Sequence, residues 1–146
     1  MKSALLSLRA AVSSLLLMAA LFASSAHALP RAELKQIRSV ITDQLDALAR
    51  NDASRAFAHT SPLLQEKIGT PANFLDMIKN TYGVIYRHVS VQFLQQSEQN
   101  AAVYQYVQLS DEMGRVWMAR YRMLKTAKNR WTIDGCELEQ TDFTVV

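Results

Sequence analysis

The chain of 146 residues has one cysteine, Cys136, and three histidines, His27, His59 and His88. An ionised thiol can act as a nucleophile or a redox centre, and an imidazole can move protons near neutral pH. Two acid–base arrangements follow from residue type: His59 as a base near Asp52, or Asp134 as a carboxylate base with a tyrosine such as Tyr82 as phenolic donor. No spacing imposes either one. Cys136 follows Gly135 on an alternating segment, shares a side with Leu138 and has no basic residue within three positions. That setting suits a small apolar packing residue better than an activated thiol. A single cysteine makes neither an intramolecular disulfide nor a thiolate metal cage. The histidines carry no ligand motif, so neither a metal nor a cofactor is expected. Four glycines, none within two residues of another, leave no glycine-rich phosphate loop. No Ser/His/Asp nucleophile motif or HExxH pattern occurs.

The aromatic and methionine side chains are better placed for binding than for catalysis. Tyr104 and Tyr106 share one strand face, and Trp117 shares a face with Tyr121. Tyr82, Tyr86, Tyr104, Tyr106, Trp117, Tyr121 and Cys136 form the expected lining of an apolar pocket with a few phenolic hydrogen bonds, supplemented by Met77, Met118 and Met123. Core packing or a subunit face would use the same residue types. Arg120 and Arg122 also share a face and could meet an anion, although a solvated outer strand face is the commoner use of such charges.

These side chains have to be positioned by the elements around them. Residues 1–28 have the build of a secretory signal: Lys2 and Arg9, an apolar run from Ala10 to Ala23 broken only by Ser13 and Ser14, and Ala26-His27-Ala28 as a cleavage pattern. The run is shorter than the roughly 20 apolar residues a spanning helix needs, so no membrane anchor is expected after cleavage. Export is the expectation, to the periplasm if the source is Gram-negative. Cleavage leaves 14 basic residues against 13 acidic ones in residues 29–146. A domain so near neutrality has no electrostatic footprint for nucleic acid.

In 29–146, Leu34, Ile37, Val40, Ile41, Leu45 and Leu48 recur at helical spacing between Ala32 and Arg50. Asp52 can cap a short second helix. Ser61-Pro62 and Thr70-Pro71 are two more helix starts, the first closed by Gly69 and the second by Gly83, with Phe74, Met77, Ile78 and Tyr82 on one side of the second. From His88 the period changes to two. Segments His88–Gln96, Ala101–Ser110, Arg115–Lys125 and Arg130–Thr141 are separated by short turns, the first at Glu98-Gln99-Asn100. Short connections require antiparallel pairing. The result is one α+β domain, N-terminal helices packed on an antiparallel sheet of about four strands.

The run Ile41–Leu48, then Asp52-Ala53, Ala56-Phe57, Ser61-Pro62, Phe74-Leu75, Met77 and Tyr82, and the ending Trp131-Thr132-Ile133-Asp134-Gly135-Cys136-Glu137-Leu138, resemble a bacterial family, domain of unknown function 4864. That family is similar to the nuclear transport factor 2-like superfamily. The resemblance implies a strongly curved sheet whose cone holds the helices and often a pocket, with an outer sheet face that often pairs with a second subunit. It supplies no catalytic residues and fixes no function. Three readings follow: an exported module binding a small apolar ligand, a lyase or isomerase using Asp134 or His59 with a tyrosine, and a homodimeric envelope assembly protein. The missing catalytic motifs favour binding over bond-making.

Overall fold

The computed structural model describes residues 28–144. The signal segment and its cleavage site fall almost wholly outside them. Helix α1 (Arg31–Ala49) buries Ile37, Ile41, Leu45 and Leu48 along the stripe read from its sequence. Three short helices follow, each begun by a side-chain cap. The Asp52 carboxylate accepts from Arg55 N at 3.1 Å ahead of α2 (Ala53–Ala58). The hydroxyls of Ser61 and Thr70 accept from Leu64 N and Asn73 N, each at 3.2 Å, ahead of α3 (Pro62–Ile68) and α4 (Pro71–Thr81). Caps of this kind satisfy amide groups that the first turn leaves without partners. Gly69 closes α3 with φ 88°, a left-handed conformation that glycine adopts without steric cost.

The end of α4 differs from the expectation. Tyr82 leaves the helical region itself (φ −123°, ψ 47°), and Gly83 opens a further turn, α5 (Gly83–Tyr86), instead of closing α4. Tyr82 N still donates to Ile78 O at 2.8 Å, and Tyr82 O accepts from Ile85 N at 2.8 Å. The chain thus turns at Tyr82 without needing a left-handed glycine.

Strands β1 (Ser90–Gln99), β2 (Ala102–Ser110), β3 (Arg115–Lys125) and β4 (Trp131–Thr144) form one antiparallel sheet in sequence order, curved and unclosed. β1 runs three residues further than its alternation suggested. The first hairpin is therefore a two-residue turn, Asn100-Ala101, both at positive φ (50° and 62°), the handedness that matches strand twist. Val107, Leu109, Ala119 and Met123 face the helices and are buried. The register places Tyr104 opposite Arg122 and Tyr106 opposite Arg120 on the other face.

Bulges interrupt the ladder and bend it. One lies in β1 between Phe93 and Gln96. Its free carbonyls are taken up by Gln105, wholly buried on β2, whose amide donates to Leu94 O at 3.0 Å and Gln95 O at 3.3 Å. A second makes Asp134 the extra residue of β4, between Ile133 opposite Met123 and Gly135 opposite Arg122. The α2–α3 junction is stitched to that strand: Ile133 N donates to His59 O and Ser61 N to Ile133 O, both at 2.8 Å. Among the described residues no helix is long and apolar enough to cross a membrane.

Candidate functional site

Where α4 and α5 approach the middle of the sheet, the packing leaves a cavity of about 130 Å³. Phe74, Met77 and Ile78 of α4 form one wall, continued by Tyr82 and by Ile85 of α5. Gln44 of α1 and Thr60 and Leu64 around the start of α3 close a second side. The floor is sheet: Tyr121 of β3, with Ile133, Gly135 and Cys136 of β4. The mouth lies among Leu64, Met77, Tyr82 and Cys136, which are half-buried, whereas Phe74, Ile85, Tyr121 and Ile133 are buried. The α4 stripe therefore packs the core and lines the cavity at once.

Among the described residues, no Asp, Glu, Lys, Arg or His lines this space. Its polar groups are an amide, two kinds of hydroxyl and a thiol. The Gln44 amide donates to Ala56 O at 3.1 Å and the Thr60 hydroxyl to Phe57 O at 2.7 Å, so both serve the backbone of α2. Tyr121 is 1% exposed, and its hydroxyl is buried against the Cys136 thiol. Burial pushes this phenol's pKa well up, with the neighbouring Cys136 adding to the effect. Burial also pushes the Cys136 thiol up to about 12, with the charge of Glu137 reinforcing it. A thiol held protonated at neutral pH is a poor nucleophile. Cys136 is a wall residue whose sulfur donates weakly to Glu137 O at 3.7 Å.

The other expected lining residues lie elsewhere. Tyr104 and Tyr106 point from the outer sheet face, where the Arg120 guanidinium sits 5.0 Å from the Tyr104 ring centre. Alternation alone could not say which of the two strand faces the helices would cover. Trp117 faces the helix side but lies two residue pairs along from Tyr121, where its Nε1 donates to Asp111 Oδ2 at 3.1 Å in a separate surface groove with Met113 and Leu138. Tyr86 is at the surface, its hydroxyl donating to Asn51 Oδ1 at 2.8 Å between the cations of Lys79 and Arg87. Met118 is on the outer face and Met123 is solid core. Of the seven expected lining residues, Tyr82, Tyr121 and Cys136 meet at the cavity.

Neither acid–base candidate reaches it. Asp134, the extra residue of the β4 bulge, is not part of the cavity lining, and its carboxylate accepts from Arg122 and from the Ser61 hydroxyl. It thereby ties the N-terminus of α3 to β3 and β4. His59 caps α2 and pairs with Asp43 of α1, which also accepts from Arg55. Asp52, the partner expected for His59, instead caps α2. Arg55, and after it His59, hold Asp43 below the ordinary carboxylate range against the opposing effect of burial. Arg120 pairs with Glu137 across the outer face. Among the described residues no three His, Cys, Asp or Glu side chains converge as a metal site requires.

Sequence reasoning left out Gln44, Thr60, Leu64, Phe74, Ile78, Ile85, Ile133 and Gly135 as lining residues. Gln44 did carry a signal, as a polar residue inside the apolar stripe between Ile41 and Leu48. The family model described as "Domain of unknown function (DUF4864)" matches residues 30–144, and the chain belongs to that family. No curated protein and no solved structure matches it.

Proposed function

We propose that this chain is an exported binding module that takes up a small apolar ligand between its helices and its sheet. The observation that carries the reading is the uncharged lining of the cavity. A general acid or base has to come within hydrogen-bond reach of its substrate. Asp134 and His59, the two groups that could play that part, are held outside the cavity lining, Asp134 by Arg122 and His59 by Asp43. The lyase or isomerase reading keeps Tyr82 in the lining but has neither named base beside it, whereas a binding role needs only shape and an apolar wall.

The volume limits the ligand. Drug-sized pockets run to about 300–1,000 Å³, and an engineered apolar cavity of about 150 Å³ takes up benzene. At about 130 Å³ this cavity suits a single ring or a short alkyl group. We read the curved sheet wrapped on its helices as a nuclear transport factor 2-like cone, and residues 1–28 as the leader that carries the domain across the inner membrane.

Titrating benzene and toluene into residues 29–146, followed through the methyl resonances of Met77, Ile78 and Ile133, tests the pocket. Saturable shifts at those methyls are the expected result. Their absence, with Cys136→Phe behaving like the parent chain, would overturn the reading. Export is tested by cell fractionation and N-terminal sequencing, with Leu29 as the expected first residue. A second reading, a homodimer through the outer sheet face, draws on Tyr104, Tyr106 and Met118 standing there beside the Arg120–Glu137 pair. A monomer in light scattering at micromolar concentration would end it.

A further inference from the structure

We infer that the surface groove beside Trp117 is a second binding site, and that it takes a small monocarboxylate carrying an apolar ring or short chain. The groove shares no lining residue with the cavity between the helices and the sheet, so this inference goes beyond the reading above and does not depend on it.

Three observations support it. First, the groove has the size and the wall of a small-molecule site. Its volume is about 410 Å³, within the roughly 300–1,000 Å³ that such sites occupy. The apolar wall is made by Val84 of α5, Met113 of the β2–β3 turn, Trp117 of β3 and Leu138 of β4. Trp117 and Leu138 are only half-buried and Met113 is 73% exposed, so the fold leaves this apolar surface uncovered. Second, the groove is organised before a ligand arrives. The Asp111 carboxylate, 11% exposed, accepts from Met113 N and Arg115 N at 3.0 Å, from Arg115 Nε at 2.7 Å and from Trp117 Nε1 at 3.1 Å. It thereby fixes the turn, the indole and the guanidinium together, which spares a ligand the cost of ordering them. Third, cationic donors border the apolar wall. The Arg115 guanidinium carbon stands 5.7 Å from the Trp117 ring centre, and its bond to Asp111 uses Nε alone, which leaves the terminal nitrogens for another acceptor. Arg87, exposed on the α5 side of the groove, takes part in no ion pair among the described residues.

These features select the ligand. The planar pair of oxygens on a carboxylate matches the fork of a guanidinium. Glu112 also borders the groove, and Asp111 is already engaged by Arg115, so a second negative charge on the ligand would meet Glu112 without an answering cation. One charge is therefore the limit. The apolar part of the ligand lies along Trp117 and Leu138, and Met113 at the rim adapts to its shape. Because the groove is open, the carboxylate keeps part of its hydration, which lowers the desolvation cost that bars an anion from the uncharged inner cavity.

The experiment titrates phenylacetate, phenylacetamide, phenylphosphonate and phenylalanine into residues 29–146, which hold the whole described core, and into Arg87→Gln. Binding is followed through the Trp117 indole N–H and Met113 methyl resonances, with the Ile133 methyl reporting on the inner cavity. Phenylacetate should shift the first two saturably and leave Ile133 unmoved. Phenylacetamide, its neutral counterpart, should bind about tenfold more weakly, because it replaces charge-assisted hydrogen bonds by neutral ones. Arg87→Gln, at an exposed position, should leave Tm nearly unchanged and weaken phenylacetate about fivefold, the upper worth of an exposed ion pair. Equal affinity for phenylacetate and phenylacetamide, or no loss in Arg87→Gln, would overturn the anion assignment. Phenylphosphonate or phenylalanine binding more tightly than phenylacetate would overturn the monocarboxylate assignment. If no probe moves Trp117 and Met113, the groove is not a binding site and the inference falls, while the inner-cavity reading, which rests on other residues and on benzene and toluene, is untouched.

Discussion

On one side of β3, Tyr121 faces a cavity with no charged wall. One residue further along, Arg122 lies on the opposite side and holds Asp134. Over that single step the sheet passes from an environment that cannot stabilise an ion to one organised around ions. The same contrast holds across the molecule. Glu33, Asp43, Asp111 and Asp134 are each engaged at the periphery, with Lys125, Arg55, Arg115 and Arg122 respectively. The cavity holds only neutral groups. The ion pairs fasten elements together, α1 to α2, α1 to β3 and β3 to β4, and the Ser61 hydroxyl adds the start of α3 to the last of these. The neutral interior is left free to accept a guest. Residue types that suggested acid–base chemistry are here used as fasteners, because a carboxylate buried beside an arginine is stable whereas one facing an apolar void is not.

The largest expected effect concerns the thiol on the cavity side. With Cys136 pushed up to about 12 from an ordinary 9.0, its thiolate fraction at pH 8 falls about a thousandfold below that of an ordinary cysteine. Alkylation by iodoacetamide, followed by intact-mass spectrometry, should be slower than on an unfolded control by a comparable factor. Alkylation at the unfolded rate would mean that the surroundings of Cys136 do not hold its thiol protonated.

Next comes a pair of truncations on the two sides of the structure. Ile41→Ala, in the wholly buried helix stripe, should cost about 3 kcal/mol in urea unfolding. Met118→Ala on the outer sheet face should cost less than about 1 kcal/mol. If Met118→Ala costs as much as Ile41→Ala, and the cost grows with protein concentration, the outer face is a subunit interface and the contrast drawn here fails.

Asp134→Asn sharpens the comparison at the α3 seam. The carboxylate side chain is 7% exposed and its Arg122 partner 40%, so the loss should be about 1–2 kcal/mol. Affinity for benzene should not change. A large drop in that affinity, with stability intact, would return Asp134 to a role at the cavity.

The smallest effect is a pH dependence. Asp43 and Glu33 are both held below their ordinary values, Asp43 chiefly by Arg55 and Glu33 chiefly by Lys125 and then Trp131. A depressed folded pKa means that the unfolded chain takes up its proton first. The stabilisation is thus complete above the ordinary values of 3.8 and 4.5 and is lost as pH falls through the lower folded values. Asp43→Asn should show a shallower fall in Tm between about pH 5 and about pH 2.5 than the parent chain. An unchanged acid limb would show that the Asp43–Arg55–His59 cluster contributes nothing to stability.

The sequence determined the local architecture, because the forces responsible act within a few residues. Asp52, Ser61-Pro62 and Thr70-Pro71 start helices by supplying an acceptor to an amide three residues on. The α1 and α4 stripes followed from helical period, and the meander followed from turns too short for crossovers. Parity along a strand showed that Tyr104 goes with Tyr106 and Trp117 with Tyr121. It did not show which member of each alternation the helices would cover. That choice, like the bond from the Ser61 hydroxyl to Asp134, 73 residues away in sequence, was made by pairing between distant segments. Only the tertiary structure could therefore leave Tyr121, Tyr82 and Cys136 around one uncharged space and set Tyr104 and Tyr106 behind it, since the inner face of a sheet is defined by what packs against it.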